Sequence, residues 1–253
     1  MQTRSTLFRT KLFFNLECRI KFILLLFLIV ASCSSVSGND DFAIAERAFF
    51  FEDYGMAREL FQKYAKDGNL VAQIRLGVMY YRGLGVKKDH AEALKWLMLA
   101  AQQGRAEAQY LVGEILFEPQ TSNVKASRSE AFVWYNKAAD QGFDLAIRRM
   151  AICYDLGEGI PKDYVKAFNW YLRGAELGDF ACQYCVGVMY EEGNGTEKNL
   201  IEAYKWFHIV TFGVAPSMQK GWTLLKRDIL KSSMKPEEIA EARRLADAWL
   251  NKK

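Results

Sequence analysis

Cysteine has the widest chemical repertoire of any residue in this chain, and five occur: Cys18, Cys33, Cys153, Cys182 and Cys185. Cys18 and Cys33 lie near the N-terminus, which leaves three further on, an odd number for an oxidising compartment. Cys153 and the Cys182/Cys185 pair fall on equivalent segments of neighbouring repeats, described below. Two readings stay open for them. A cross-repeat disulfide would staple two units by about 2–4 kcal/mol, and free thiols would serve as small core residues. Zinc would need a fourth ligand that the sequence does not offer, and a thioredoxin-type site lacks its fold context. There are two histidines, His90 and His208. His90 abuts a loop and is expected to be solvated; His208 shares a segment with Trp206 and is expected to be packed or exposed, not catalytic. The glycine loop GLGVKKD (83–89) has no Gly-Lys-Ser/Thr ending and recurs once per repeat, so it reads as a turn and not a phosphate cradle. No Gly-x-Ser-x-Gly and no zinc-hydrolase spacing occurs. The expectation is a protein that is not an enzyme and takes no cofactor or metal.

The elements that would position these residues follow one period. Trp96, Trp134, Trp170 and Trp206 stand 38, 36 and 36 residues apart. Three residues earlier come Ala93, Ala131, Ala167 and Ala203; after them come Gly104, Gly142 and Gly178. A second register holds Gly77, Gly113, Ala151 and Gly187, with Tyr80, Leu116, Tyr154 and Tyr190 three residues on. Paired glycines follow at 83/85, 157/159 and 193/195, and then Asp89, Asp163 and Asn199. The second copy breaks this loop at Glu118-Pro119-Gln120-Thr121-Ser122.

Each unit reads as two helices. Ala72, Leu76, Gly77 and Tyr80 share one helical face, as do Ala93, Trp96, Leu97, Ala100 and Ala101. Small residues let the paired backbones approach, and the large ring of the tryptophan column fills the gap beside them. Gly104, Gly142 and Gly178 suit the left-handed position just past a helix end. Only a neighbouring pair can cover the apolar face each pair leaves, so the units stack. With four prolines and helical spacing of Ala, Leu, Glu, Lys and Tyr, the fold class is all-α.

Residues 1–21 are polar and basic, and FILLLFLIVA (22–31) follows without a charge. Ten helical residues rise about 15 Å, half the roughly 30 Å of a bilayer core, which suits a signal-peptide h-region. Val30-Ala31-Ser32-Cys33 resembles a bacterial lipobox, and that resemblance implies lipidation of Cys33. Ser34 after it, in place of Asp, favours the outer membrane by the same resemblance. Ordinary cleavage near Cys33 or Gly38, or an uncleaved anchor, are the other readings. Residues 33–40 read as a flexible tether. Residues 1–32 hold five of the 34 cations and one of the 30 acids, so 29 of each remain in the rest of the chain. A near-neutral remainder gives no support for nucleic-acid binding.

The stretches AQIRLGVMYYRGLGVKKDHAEALKWLMLAAQQG (72–104), AIRRMAICYDLGEGIPKDYVKAFNWYLRGAELG (146–178) and CQYCVGVMYEEGNGTEKNLIEAYKWFHIV (182–210) are similar to the Sel-one-like repeat family, a branch of the tetratricopeptide-type solenoids. The resemblance spans about 42–251. It implies a right-handed α/α superhelix of about five to six repeats, at about 41–70, 71–106, 107–144, 145–180 and 181–216, with closing helices over 217–252. Residues 41–253 form one repeat domain, with a plain tetratricopeptide-like first unit. Pro236 fits the first turn of the last helix, and Glu237 and Glu238 complement its dipole.

In such arrays the first helix of each pair lines the concave surface. The resemblance therefore places Ile74, Val78 and Tyr81; Tyr110, Glu114 and Phe117; Arg148, Ile152 and Asp155; and Tyr184, Val188 and Glu191 there, with Phe42, Glu46 and Phe49 in the first unit. Aromatic anchors ringed by charge suit a protein or peptide partner. The function expected is a monomeric interaction scaffold, exported and anchored by lipid in the periplasm or outer membrane, or secreted. A module binding envelope glycan or peptidoglycan is the alternative.

Overall fold

A computed structural model describes residues 40–118, 124–213 and 217–252. The leader, Cys18, Cys33 and most of the tether lie outside the described residues. Twelve α-helices occur among the described residues, and no strands. They are α1 (Asp40–Phe50), α2 (Tyr54–Lys66), α3 (Leu70–Arg82), α4 (His90–Gln102), α5 (Ala106–Phe117), α6 (Arg128–Asp140), α7 (Asp144–Leu156), α8 (Tyr164–Leu177), α9 (Phe180–Glu192), α10 (Leu200–Phe212), α11 (Ser217–Lys231) and α12 (Pro236–Leu250). Each helix from α1 to α10 packs on the next in sequence, and α12 turns back to pack on α10. The result is the all-helical solenoid expected: five helix pairs and two closing helices. Asp40, placed in the tether by the sequence reading, already belongs to α1.

Within a pair, a ring or branched side chain of the second helix sits over a small residue of the first. A Cβ built on Gly113 would lie 2.5 Å from a ring carbon of Tyr135, and one on Gly187 would lie 2.6 Å from a ring carbon of Phe207. Leu97 holds the same position over Gly77. The gap-filling column is therefore Leu97, Tyr135, Tyr171 and Phe207, one residue after the tryptophans, and all four are buried. This corrects the assignment of that role to tryptophan. Trp134 and Trp170 are only partly buried and lie under Lys137 and Arg173, 4.1 and 5.2 Å from the ring centroids. One residue of phase is 100° around a helix, which sets the tryptophan column beside that contact, where Trp96 and Trp206 are still buried, at 7% and 3%.

Between units, a buried glutamine closes the end of the preceding helix. Gln73, Gln109 and Gln183 donate Nε2 to the carbonyls of Ala65, Ala101 and Ala175 at 3.2, 3.1 and 3.2 Å. In the fourth unit Ile147 occupies that place, and the equivalent carbonyl of Ala139 accepts from Arg173 Nη2 at 3.1 Å instead. Helix C-termini leave carbonyls without intrahelical partners, and a buried one must find a donor. The Asp89, Asp163 and Asn199 column caps the second helices, each accepting from backbone N–H groups of the first turn. Ser127 takes over this capping in the copy whose loop is broken, accepting from Glu130 N at 3.3 Å. The last helix starts at Pro236 as expected, and Glu238 Oε2 accepts from Lys235 N at 2.8 Å.

The three cysteines among the described residues are free thiols. Cys153 packs in the cluster holding Tyr135, and Cys182 lies under Gly174 in the next cluster. Burial raises Cys153 and Cys185 to about 11 and raises Cys182 too. Only the thiolate reacts readily. Brief maleimide treatment of the folded chain, read by peptide mass spectrometry, is expected to leave all three unmodified and to label them in urea. A disulfide-linked peptide among them would overturn this account.

Candidate partner-binding face

The first helices carry the residues expected on the concave surface, and the structure places one of them out of reach. Ile74 is 3% exposed and lies in the core with Leu97 and Val112, so it cannot touch a partner. This is a correction, and its cause is that the residue faces the stacking neighbour α5. Val78, Ile152 and Val188 are partly buried on the same helices.

The other named residues are half-buried and already engaged within the array. Tyr81 donates its hydroxyl to Glu118 Oε1 at 2.8 Å. Tyr110 lies between Tyr135 and Phe143, with ring centroids 5.9 and 5.5 Å away. Arg148 Nη1 donates to Asp179 Oδ2, the cap of the next unit's first helix, at 2.9 Å. Asp155 accepts from Tyr171 at 3.3 Å. Tyr184 sits 5.7 Å from Phe207, and Glu191 pairs with Lys226 at 2.9 Å.

Two junctions repeat one clasp. Arg149 Nε and Nη2 donate to Glu114 Oε1 and Oε2 at 2.7 and 3.2 Å, and the buried Tyr135 hydroxyl donates to Glu114 Oε1 at 2.7 Å. The Arg149 guanidinium covers the Phe117 ring at 4.7 Å. Two units earlier, Arg75 Nε and Nη2 donate to Glu46 Oε1 and Oε2 at 3.1 and 3.2 Å, and the guanidinium covers Phe49 at 5.3 Å. Burial alone would lower Arg149, but Glu114 outweighs it and the guanidinium is held above its usual range. The junctions between place Leu111 and Cys185 where these arginines stand. Junctions with and without the clasp thus alternate, a two-unit pattern that the column Arg75, Leu111, Arg149, Cys185 already carried in the sequence.

His90, expected to be solvated, is 3% exposed. Its ring lies 5.3 Å from Tyr81, and Nδ1 is 3.7 Å from Glu118 Oε2. Burial and then Lys88 lower its pKa, with Glu118 and Asp89 opposing. His208 packs on Phe212 at 4.5 Å and is also lowered, by burial and then Arg227. A folded value below the unfolded one contributes stability above the unfolded value of about 6.5 and loses it as the pH falls below that. The urea midpoint is therefore expected to drop between about pH 7 and pH 5.5, and His90→Gln is expected to flatten the drop. An unchanged profile in that variant would show that His90 does not titrate with folding.

Among the described residues, no three or more His, Cys, Asp or Glu are grouped to hold a metal, and no helix is long and apolar enough to cross a membrane. What the face offers is a row of half-buried aromatic, aliphatic and charged groups.

The family model for the Sel1 repeat matches residues 50–69, 70–104, 106–143, 144–179 and 181–209. The chain belongs to the Sel1 repeat family. The matched stretches stop short of the closing helices, and the first takes in α2 but little of α1. A Sel1 repeat protein from Oxalobacter formigenes is 30% identical with a TM-score of 0.62, over 67% of this chain and 69% of that one. A protective antigen present in uropathogenic Escherichia coli strains, displaying an SLR fold, shares the fold at 24% identity and a TM-score of 0.50, over 84% of this chain and 53% of that one. The ERAD-associated E3 ubiquitin-protein ligase component HRD3A of Arabidopsis thaliana is 36% identical over 58 residues, which is 22% of this chain and 9% of that protein. The chain spans less than a quarter of the length of the curated relatives it matches. Sel1 repeats generally mediate protein–protein interaction. The inter-unit glutamines and the arginine clasps went unread in the sequence, although Gln73, Gln109 and Gln183 form a column that periodicity alone could have revealed.

Proposed function

We propose that the protein is an exported adaptor that holds a protein or peptide partner on the face built by its first helices. The observation that carries this reading is the row of half-buried aromatic and charged side chains, Tyr81, Tyr110, Phe117, Arg148 and Tyr184 among them, held in place by contacts within and between units. Preorganised side chains lose little entropy on binding, and aromatic and arginine anchors supply most interface energy. The relative HRD3A is a ligase component, so at least one protein with a similar stretch works inside an assembly.

The full chain, tagged at its C-terminus, is expected to enrich a discrete protein from detergent-solubilised envelopes. Arg148→Glu, on the face, is expected to lose it, and Lys95→Glu, exposed on a second helix, is expected to keep it. Retention by purified cell wall with no enriched protein would favour the glycan reading and sink this one. Membrane attachment through Cys33 is part of the proposal: the Cys33→Ala chain is expected to leave the membrane fraction. Continued fractionation with membranes would refute lipidation as the anchor.

A further inference from the structure

The end of the array carries an apolar helix face that no described residue covers. Helix α11 stands where the first helix of a sixth unit would begin. In every earlier pair the first helix is covered by the second, but α12 packs back on α10 and does not run along α11. One side of α11 rests on the array through Thr223 and Leu230, 2% and 4% exposed, and through Arg227 over Tyr204 and Phe212. The opposite side exposes Met218, Trp222, Leu225 and Ile229 at 72%, 69%, 55% and 58%. Their spacing of four, three and four is the a/d spacing of a two-helix seam.

We propose that α11 pairs with α11 of a second copy, antiparallel, about a two-fold axis passing between Thr223 and Leu224. The register is self-complementary. It sets Met218 against the second copy's Ile229 and Trp222 against the second copy's Leu225, so each a residue meets a d residue, as an isologous contact requires. Beside the seam, Asp228 falls opposite Gly221, where an added Cβ would meet nothing within 4 Å. Lys226 is already neutralised by Glu191. No like charges face each other. The second copy thereby supplies, in antiparallel sense, the partner helix that α11 lacks among the described residues. The four side chains would remove on the order of 600 Å² per copy from water, toward the ~800 Å² per partner of a standard interface. This replaces the monomer expected from the sequence with a reversible dimer.

Sedimentation velocity of the full chain from about 1 to about 100 μM, a range in which a small interface dissociates, is expected to show a monomer–dimer equilibrium. Leu225→Asp, at a position exposed in the single copy, is expected to keep its helical circular dichroism and to raise the dimer dissociation constant at least about tenfold. Phe50→Asp, on exposed α1 at the other end, is expected to leave it unchanged. In an oxidised mixture of Trp222→Cys and Leu225→Cys chains, peptide mass spectrometry is expected to find 222–225 links. Links of 222 to 222 and 225 to 225 would overturn the antiparallel register. A monomer throughout, a dimer untouched by Leu225→Asp, or Leu225-dependent flotation with phosphatidylglycerol vesicles without any dimer would overturn the proposal.

Discussion

Alanine at Gly195 is expected to lower the stability of the array by about 3 kcal/mol. Gly195 has φ +70°, where a Cβ strains the backbone by about 1–2 kcal/mol. That Cβ would also press on the carbonyl of Tyr164 and lie 2.9 Å from the backbone nitrogen of Val165, at the start of the preceding unit's second helix. Backbone cannot swing aside as a flexible side chain does, so overpacking adds a further ~1–3 kcal/mol. Gly159 meets the start of α6 in the same way, against the backbone of Arg128. Gly193, the first glycine of the same loop, is left-handed too, but an added Cβ there would meet nothing closer than 3.5 Å. Its alanine variant is expected to lose only the strain, about 1–2 kcal/mol. Urea unfolding followed by circular dichroism measures both. Equal losses at 193 and 195 would mean that the second glycine serves the turn alone and not the contact between units.

Removing the Glu114 carboxylate is expected to cost about 2–3 kcal/mol, the larger of two clasp effects. Glu114→Ala leaves the guanidinium of Arg149 unpaired and the buried Tyr135 hydroxyl without its acceptor. The side chains of Arg149 and Glu114 are 26% and 18% exposed, so water replaces their contacts poorly. The Arg75–Glu46 pair has the same two-pronged geometry but is 32% and 34% exposed and lacks the tyrosine. Solvent screening reduces it to about half a kcal/mol. A double-mutant cycle on each pair, read from urea midpoints, separates coupling from the loss of single groups. Coupling as weak at 114/149 as at 46/75 would show that burial does not set the clasp's strength.

The clasps also show where reading along the chain stops. Glu114 and Phe117 were recognisable as residues of the expected concave face, and Arg149 belonged to the column of Arg75, Leu111 and Cys185. Their union joins residues 35 apart. No helical period announces it, because it depends on how one unit leans on the next. His90 was misread for a related reason. Its neighbour in sequence is a solvated loop, but its burial is set by Tyr81 and Glu118, which stack over it.

The sequence by itself determined the helices, the period of the repeat, the glycine turns and the Asp/Asn caps, since these depend on contacts within a few residues. It also marked the closing helix, through Pro236 and the acids after it. Only the tertiary structure decided that Leu97, Tyr135, Tyr171 and Phe207 fill the pairs in place of the tryptophans. Only it decided that Ile74 is sealed in the core, that Cys153 and Cys182 pack in separate clusters, and that no described residue covers the apolar side of α11. The reason is physical: periodicity states which residues share a helical face, while burial belongs to the neighbour that covers that face. In a solenoid that neighbour lies a whole repeat away.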